Sequence, residues 1–184
     1  MPVFMTMTSS LSTADRNHTA KKASIVAFIT LLIFAFGGQL LFQFFGISVN
    51  SFRVVGGVIF FLMGMDMLQA RIGRVKISDD EVKKYVDDIS ITPLAIPMIC
   101  GPGAITNAIV LMDDADNLVM KVSLIITIAV VMIITYLVLL SSGKIIKIIG
   151  NTGNNVLMRL MGLIIMVIAV EFIFAGLRPY IESF

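Results

Sequence analysis

Residues 118–140 read LVMKVSLIITIAVVMIITYLVLL, an apolar run in which Lys121 is the only charge. A helix rising about 1.5 Å per residue needs some 20 such residues to cross the roughly 30 Å hydrocarbon layer of a bilayer. Residues 23–45, 49–68 and 156–177 have the same character. In lipid no water is available to bond backbone N–H and C=O groups, so these runs must satisfy themselves as helices. Hydrophobic residues make up 58% of the 184 and charged residues 14%, against about 45–50% and about 25% in soluble domains. The sequence therefore predicts an all-α polytopic transmembrane helix bundle. A single membrane domain, residues 1–184, leaves no room for a separate soluble one.

One further apolar stretch cannot run as a plain helix. Residues 91–107, ITPLAIPMICGPGAITN, hold Pro93, Pro97 and Pro102, three of the five prolines, with Gly101 and Gly103 flanking the last. Each proline lacks an N–H and clashes with the carbonyl one turn back, while the glycines tolerate angles closed to other residues. Irregular backbone at membrane depth persists only where protein buries it or where it lines a polar cavity. Broken helices of this kind build the binding sites of many transporters. A lone proline would merely kink a span, but the pattern P-x3-P-x3-GPG predicts a break over about residues 92–112, making about five spans in all.

The remaining segments carry weaker signals. Residues 1–22 are mixed and polar, with a helix start expected at 12–16; they are no signal peptide, because the apolar run begins too late and continues too far. Gln39 and Gln43 share a helix face and are expected to bond a neighbouring helix. Gly56, Gly57 and Gly64 leave a smooth face where another backbone can approach. Residues 69–91 form a charged connector, read as a solvated loop or short amphipathic helix, and 141–155 a turn. The DDADN sequence at 113–117 lacks the spacing of a calcium loop. With Cys100 the only cysteine and His18 the only histidine, no internal disulfide, metal site or other cofactor is expected.

If all five spans cross, eleven of the fourteen Lys and Arg fall on one side, and Arg53, Lys121 and Arg178 on the other. The positive-inside rule then places the amino-terminal segment and the long connector in the cytoplasm and the carboxyl terminus outside. A re-entrant broken span would change the tally to ten against four, so charge leaves both topologies open. Cations set between apolar runs report topology and argue against nucleic-acid binding.

A weak internal repeat runs at an offset of 105 residues. GGVIFFLMGMDML at 56–68 aligns with MGLIIMVIAVEFI at 161–173, pairing Gly57 with Gly162 and Asp66 with Glu171. FFGISVN around Gly46 is similar to IIGNTGNN around Gly150, and MPVF at the start to IPMI at 96–99. Units of three spans, an odd number, enter the membrane from opposite sides, which predicts a 3+3 inverted repeat of residues 1–90 and 91–184. The first span is then truncated, which reads as a late start, a shortened chain or a genuine short form.

At PLAIPMICGPGAIT, with PVFMTMT at the start and FFGISVNSFRVVGGVIFFLMGMDML between, the chain resembles the MarC family of bacterial and archaeal membrane proteins. The resemblance extends over essentially the whole chain. It implies a six-span protein of the cytoplasmic (inner) membrane, in a family also called neutral amino acid transporter-like. Of the N-P-x-G-x-x-P-x-F motif that opens the family's first span, Pro2-Val3-Phe4 are present here. Where relatives often read A-V-Q and a later D-G in the last span, this chain has Ala169-Val170-Glu171 and Ala175-Gly176.

The function expected on these grounds is secondary transport of a small neutral solute, glycine- or alanine-sized. A break near Gly101–Gly103 would bare N–H groups at the start of a second half-helix, which with the helix dipole suit a carboxylate. Thr106 and Asn107 would add side-chain bonds, and the carbonyls before Pro97 and Pro102 would receive an ammonium group. Asp66 and Glu171 sit within apolar helices, where an ionised carboxylate costs about 2.5–3.5 kcal/mol, and are the candidates for proton or sodium coupling. Their plainer readings are contact with water or Arg71 for Asp66, and proximity to Arg178 for Glu171. The alternative function is a non-transporting scaffold or assembly protein, in which the prolines only set packing. An intramembrane enzyme is not expected, since the broken span has no serine and the histidine lies in the polar segment. The expected partners are the lipid bilayer and the solute, with a homo-oligomer left open.

Overall fold

The computed structural model describes residues 1–69 and 82–182, and every regular element in them is helical. In chain order these are α1 (Pro2–Met7), α2 (Thr13–Phe45), α3 (Val49–Leu68), α4 (Val82–Ile89), an irregular segment (Ser90–Ile99), α5 (Pro102–Asp113), α6 (Leu118–Leu140) and α7 (Ser142–Ile181). Four of them, α2, α3, α6 and α7, are long and apolar enough to cross a membrane. The fifth candidate span is the pair made by Val82–Ile99 and Pro102–Asp113, bent by 62° at its break. Of the charged connector, α4 is a short amphipathic helix, and residues 70–81 lie outside the described residues.

Apolar side chains point outward as well as inward, the inverse of a soluble core. Phe44 is 80% exposed and Leu118 76%, although both sit in helices with no polar face to offer water. The surfaces so exposed match hydrocarbon. Inward, α2 presents Ala20, Ala23, Ala27, Leu31, Ala35, Gly38 and Phe42, a helical stripe of mostly small residues. α5 and α6 pack against the middle of that stripe; a Cβ on Gly38 would stand 2.5 Å from Ile109 Cδ1. Gln39 and Gln43 turn away from this stripe, are exposed and make no hydrogen bond among the described residues, so the interhelical role expected of them is not realised. Small residues at the contact let backbones close in, and the amides fall on the outer arc of the same helix.

The most extensive contact joins α3 to α7, and glycines make it. A Cβ on Gly57 would meet the Ala169 carbonyl at 2.7 Å, and one on Gly162 would meet the Gly64 carbonyl at 2.7 Å. A Cβ on Gly176 would meet Asn50 O at 2.6 Å. As residue number rises along α3 the facing number on α7 falls, so the helices run antiparallel. Of the smooth face expected from Gly56, Gly57 and Gly64, the last two thus receive another helix backbone, while Gly56 receives the Pro102 ring.

Turns follow from local chemistry. Gly46 closes α2 at φ 64, a left-handed angle that spares glycine the Cβ clash, and Ile47 N–H reaches back to Phe42 O at 2.8 Å. Ser48, Asn117 and Ser12 cap α3, α6 and α2 by accepting from Ser51, Met120 and Asp15 N–H groups. The helix start expected at 12–16 is therefore present. Ahead of it the expected polar segment is in part core: Val3 and Phe4 are 1% exposed, Val3 against Met67 and Met158 and Phe4 against Ala20, Ala23 and Leu139. Residues 141–155, expected to be a turn, are helical on both sides of a single break at Gly150 (φ 69).

Long-range contacts place the chain's corners on two faces. The Lys22–Asp87 ion pair ties the start of α2 to α4, and Arg16 lies against Gly143 at the start of α7. At the opposite end, Tyr180 shares hydrogen bonds with Ser48 and Ser51 at 2.8 and 3.0 Å. α6, about 34 Å long by its 23 residues, ends beside Arg16, so it begins on the far face. The broken pair must then pass from α4 to that far face.

Candidate binding site at the broken helix

The break has a plain steric origin. A residue before proline is driven out of the helical region, and Thr92 (φ -127, ψ 121) and Ile96 (φ -124, ψ 122) are both extended. Both following X-Pro bonds are cis. Cys100 closes the irregular segment by donating its N–H to Ala95 O at 2.8 Å, Gly101 is extended, and α5 starts at Pro102, where a missing N–H costs nothing. The first backbone bond of α5 runs from Ile105 N–H to Gly101 O at 3.0 Å, so the N–H groups of Gly103 and Ala104 stand ahead of the ladder.

Beside this helix start lies a half-open chamber of about 660 Å³, open toward the exposed side chains of Leu111, Val131 and Ile134. One face of α5 lines it with Ala104, Asn107 and Leu111, and α6 faces them with Thr127 and Thr135. Phe4 and Met98 close the side toward α1. Asn107 is exposed and makes no hydrogen bond among the described residues, which leaves its amide both donor and acceptor. Thr127 bonds Ser123 O at 2.8 Å within its own helix. An apolar chamber with few convergent polar groups is the usual form of a small-molecule site.

The residues expected at the site divide. Asn107 lines the chamber. Thr106, one position back, is 1% exposed and donates to Pro102 O at 2.7 Å, so its proton is committed to its own helix. Of the carbonyls expected to receive an ammonium, Gly101 O is taken by Ile105 N–H. The space beside the two glycines is filled by rings. A Gly101 Cβ would stand 2.5 Å from Phe60 Cζ and a Gly103 Cβ 2.5 Å from Phe172 Cζ. These two rings stack with centroids 6.0 Å apart, and Pro102 fits against Gly56. The GPG turn is thus seated in the α3–α7 pair. Asp66 and Glu171 are both exposed and neither lines the chamber. Arg178 bonds Glu182 at 2.7 Å, and Arg71 is outside the described residues.

A second polar cluster, not expected from the sequence, sits between α1 and α7. Asn154 Nδ2 donates to Thr6 Oγ1 at 2.8 Å, and Thr6 in turn lies against Pro2 O and the Met158 sulphur. Asn154 is 4% exposed and its Oδ1 has no partner. Asn154 lies in the segment around Gly150 that the internal repeat pairs with the Gly46 segment. Removing the acceptor should be costly, since a buried unpaired amide costs about 1–3 kcal/mol. Thr6→Val is therefore expected to lower the thermal midpoint in detergent clearly while Thr6→Ser does not; equal midpoints would show that the bond contributes nothing.

The fold and site together define a polytopic membrane protein built around a broken helix. The MarC family of integral membrane proteins matches residues 1–181. A UPF0056 membrane protein of Pyrococcus horikoshii is 39% identical over 178 residues, covering 97% of this chain and 86% of that one. One from Methanocaldococcus jannaschii is 40% identical over 182 residues, covering 97% and 87%. The UPF0056 membrane protein YvbG of Bacillus subtilis is 38% identical over 181 residues, covering 97% and 86%. No solved structure matches. The chain belongs to the MarC family.

Proposed function

We propose that the protein is a secondary transporter of small neutral solutes, amino acids of glycine or alanine size among them. The observation that carries this reading is the unpaired Asn107 amide, one turn into a half-helix that starts at Pro102 and faces the chamber. The N–H groups of Gly103 and Ala104 with the α5 dipole suit a carboxylate, and the Asn107 carbonyl suits an ammonium. Gly101, Pro102 and Gly103 act by holding that helix start between Phe60 and Phe172. Pro97 breaks the preceding turn. Asp66 and Glu171 are the proposed coupling groups, taking up a proton or accompanying sodium.

An inverted repeat of 1–90 and 91–184 belongs to the same reading. Adding 105 to Gly57 gives Gly162, and adding it to Gly64 gives Ala169. The contact of Gly57 with Ala169 and that of Gly162 with Gly64 are then one contact seen twice, each at 2.7 Å. Two halves related in this way in a cytoplasmic membrane would place the break near the midplane. The deciding experiment is uptake of labelled glycine, alanine and a panel of other neutral amino acids into proteoliposomes, with and without a proton or sodium gradient. Uptake above empty vesicles that Gly103→Leu abolishes is the expected result. No uptake across the panel would turn the reading to a scaffold whose prolines serve packing alone.

A further inference from the structure

We propose that the pocket between the start of α2 and the start of α7 is an anion site for the phosphate group of an acidic phospholipid. The pocket is about 300 Å³ and is lined by Thr13, Arg16, Asn17, Gly143, Lys144 and Lys147. Three cations therefore converge on it from two helices far apart in sequence. No carboxylate lines it, and among the described residues none of the three is in an ion pair. Asp15, the acid next to Arg16 in sequence, accepts from Ser12 and does not line the pocket.

The guanidinium is held in place before any ligand arrives. Arg16 Nη2 donates to Thr8 O at 3.1 Å, and Nη1 lies 2.9 Å from where a Gly143 Cβ would stand. Arg16 Nε is buried without a partner. The start of α7 is also uncapped, because Ser141 turns its hydroxyl back to Leu137 O at 3.0 Å. Fixed cations beside a bare helix start are the chemistry that holds phosphate. The pocket lies at an end of the bundle, beside the exposed apolar side chains of α2 and α6, where a phospholipid headgroup would reach it. Basic pockets between spans commonly take such headgroups.

The test is native mass spectrometry of the full chain from nanodiscs of phosphatidylcholine mixed with phosphatidylglycerol. The wild type is expected to retain phosphatidylglycerol at least fivefold over phosphatidylcholine. Lys144→Gln/Lys147→Gln, which leaves the Arg16–Thr8 bond intact, is expected to lose that preference. Arg53→Gln/Lys121→Gln removes the same charge at the other end and is expected to keep it. No preference in the wild type, or equal loss in both double variants, overturns the site. A separate arm measures thermal midpoints in phosphatidylcholine discs with inorganic phosphate: a shift that the Lys144/Lys147 variant lacks, without lipid preference, overturns the lipid source and assigns the pocket to a free anion.

Discussion

Replacing Gly162 with leucine is expected to cost the protein most of its folded yield. The new Cβ alone would stand 2.7 Å from Gly64 O and 2.9 Å from Leu68 N, and both are helix backbone that cannot rotate away. Relief requires α3 and α7 to part along their whole contact, which also undoes the seats of Gly57 and Gly176. Overpacking of a rigid interior costs about 1–3 kcal/mol and occasionally more, and this contact belongs at the upper end. The measurement is the monodisperse fraction and thermal midpoint in detergent. Gly37→Leu supplies the comparison, because nothing lies within 4 Å of a Cβ there and leucine is the better helix former. If the two variants melt alike, α3 and α7 are not in backbone contact.

Asn107→Leu is expected to leave the fold intact and remove solute uptake. Its side chain is exposed to the chamber and bonds nothing in the protein, so leucine breaks no internal contact. A solute that used the amide loses a hydrogen bond of about 1–2 kcal/mol, roughly tenfold in binding, before any steric loss. Thr106→Val, one residue away, is expected to stay within about twofold, since that hydroxyl already serves Pro102 O. The pair is read by uptake rate against solute concentration, with thermal midpoints alongside. Equal effects of the two variants would remove Asn107 from the site.

Much of this fold is legible in residue order. Pro93, Pro97 and Pro102 announce the break because the missing N–H and the ring clash are local to each residue. Gly57 and Gly64 announce a close helix contact for the same reason: a missing side chain is visible without the fold. Partners are not local. Nothing in residues 91–107 says that Phe60 and Phe172 would fill the space beside Gly101 and Gly103. Gln39 and Gln43 carry the chemistry of an interhelical bond, yet Ala35, Gly38 and Phe42 took the inner arc of α2. Thr6 and Asn154, 148 residues apart, read as ordinary polar residues until α1 and α7 meet.

What the residues alone determined is the solvent and the secondary structure: apolar runs of bilayer length must be helices in lipid, and a prolyl run must interrupt one. Charge counting could not decide whether that interrupted segment crosses, since ten against four and eleven against three both satisfy the positive-inside rule. The tertiary structure shows instead which ends of the bundle the segment joins. Lys22 with Asp87 and Arg16 with Gly143 bring α4 and the end of α6 to one face, and α6 is too long to begin there. Helix formation is settled within a few residues by the backbone's own bonds, whereas the side on which a segment ends depends on contacts between parts of the chain that residue order keeps far apart.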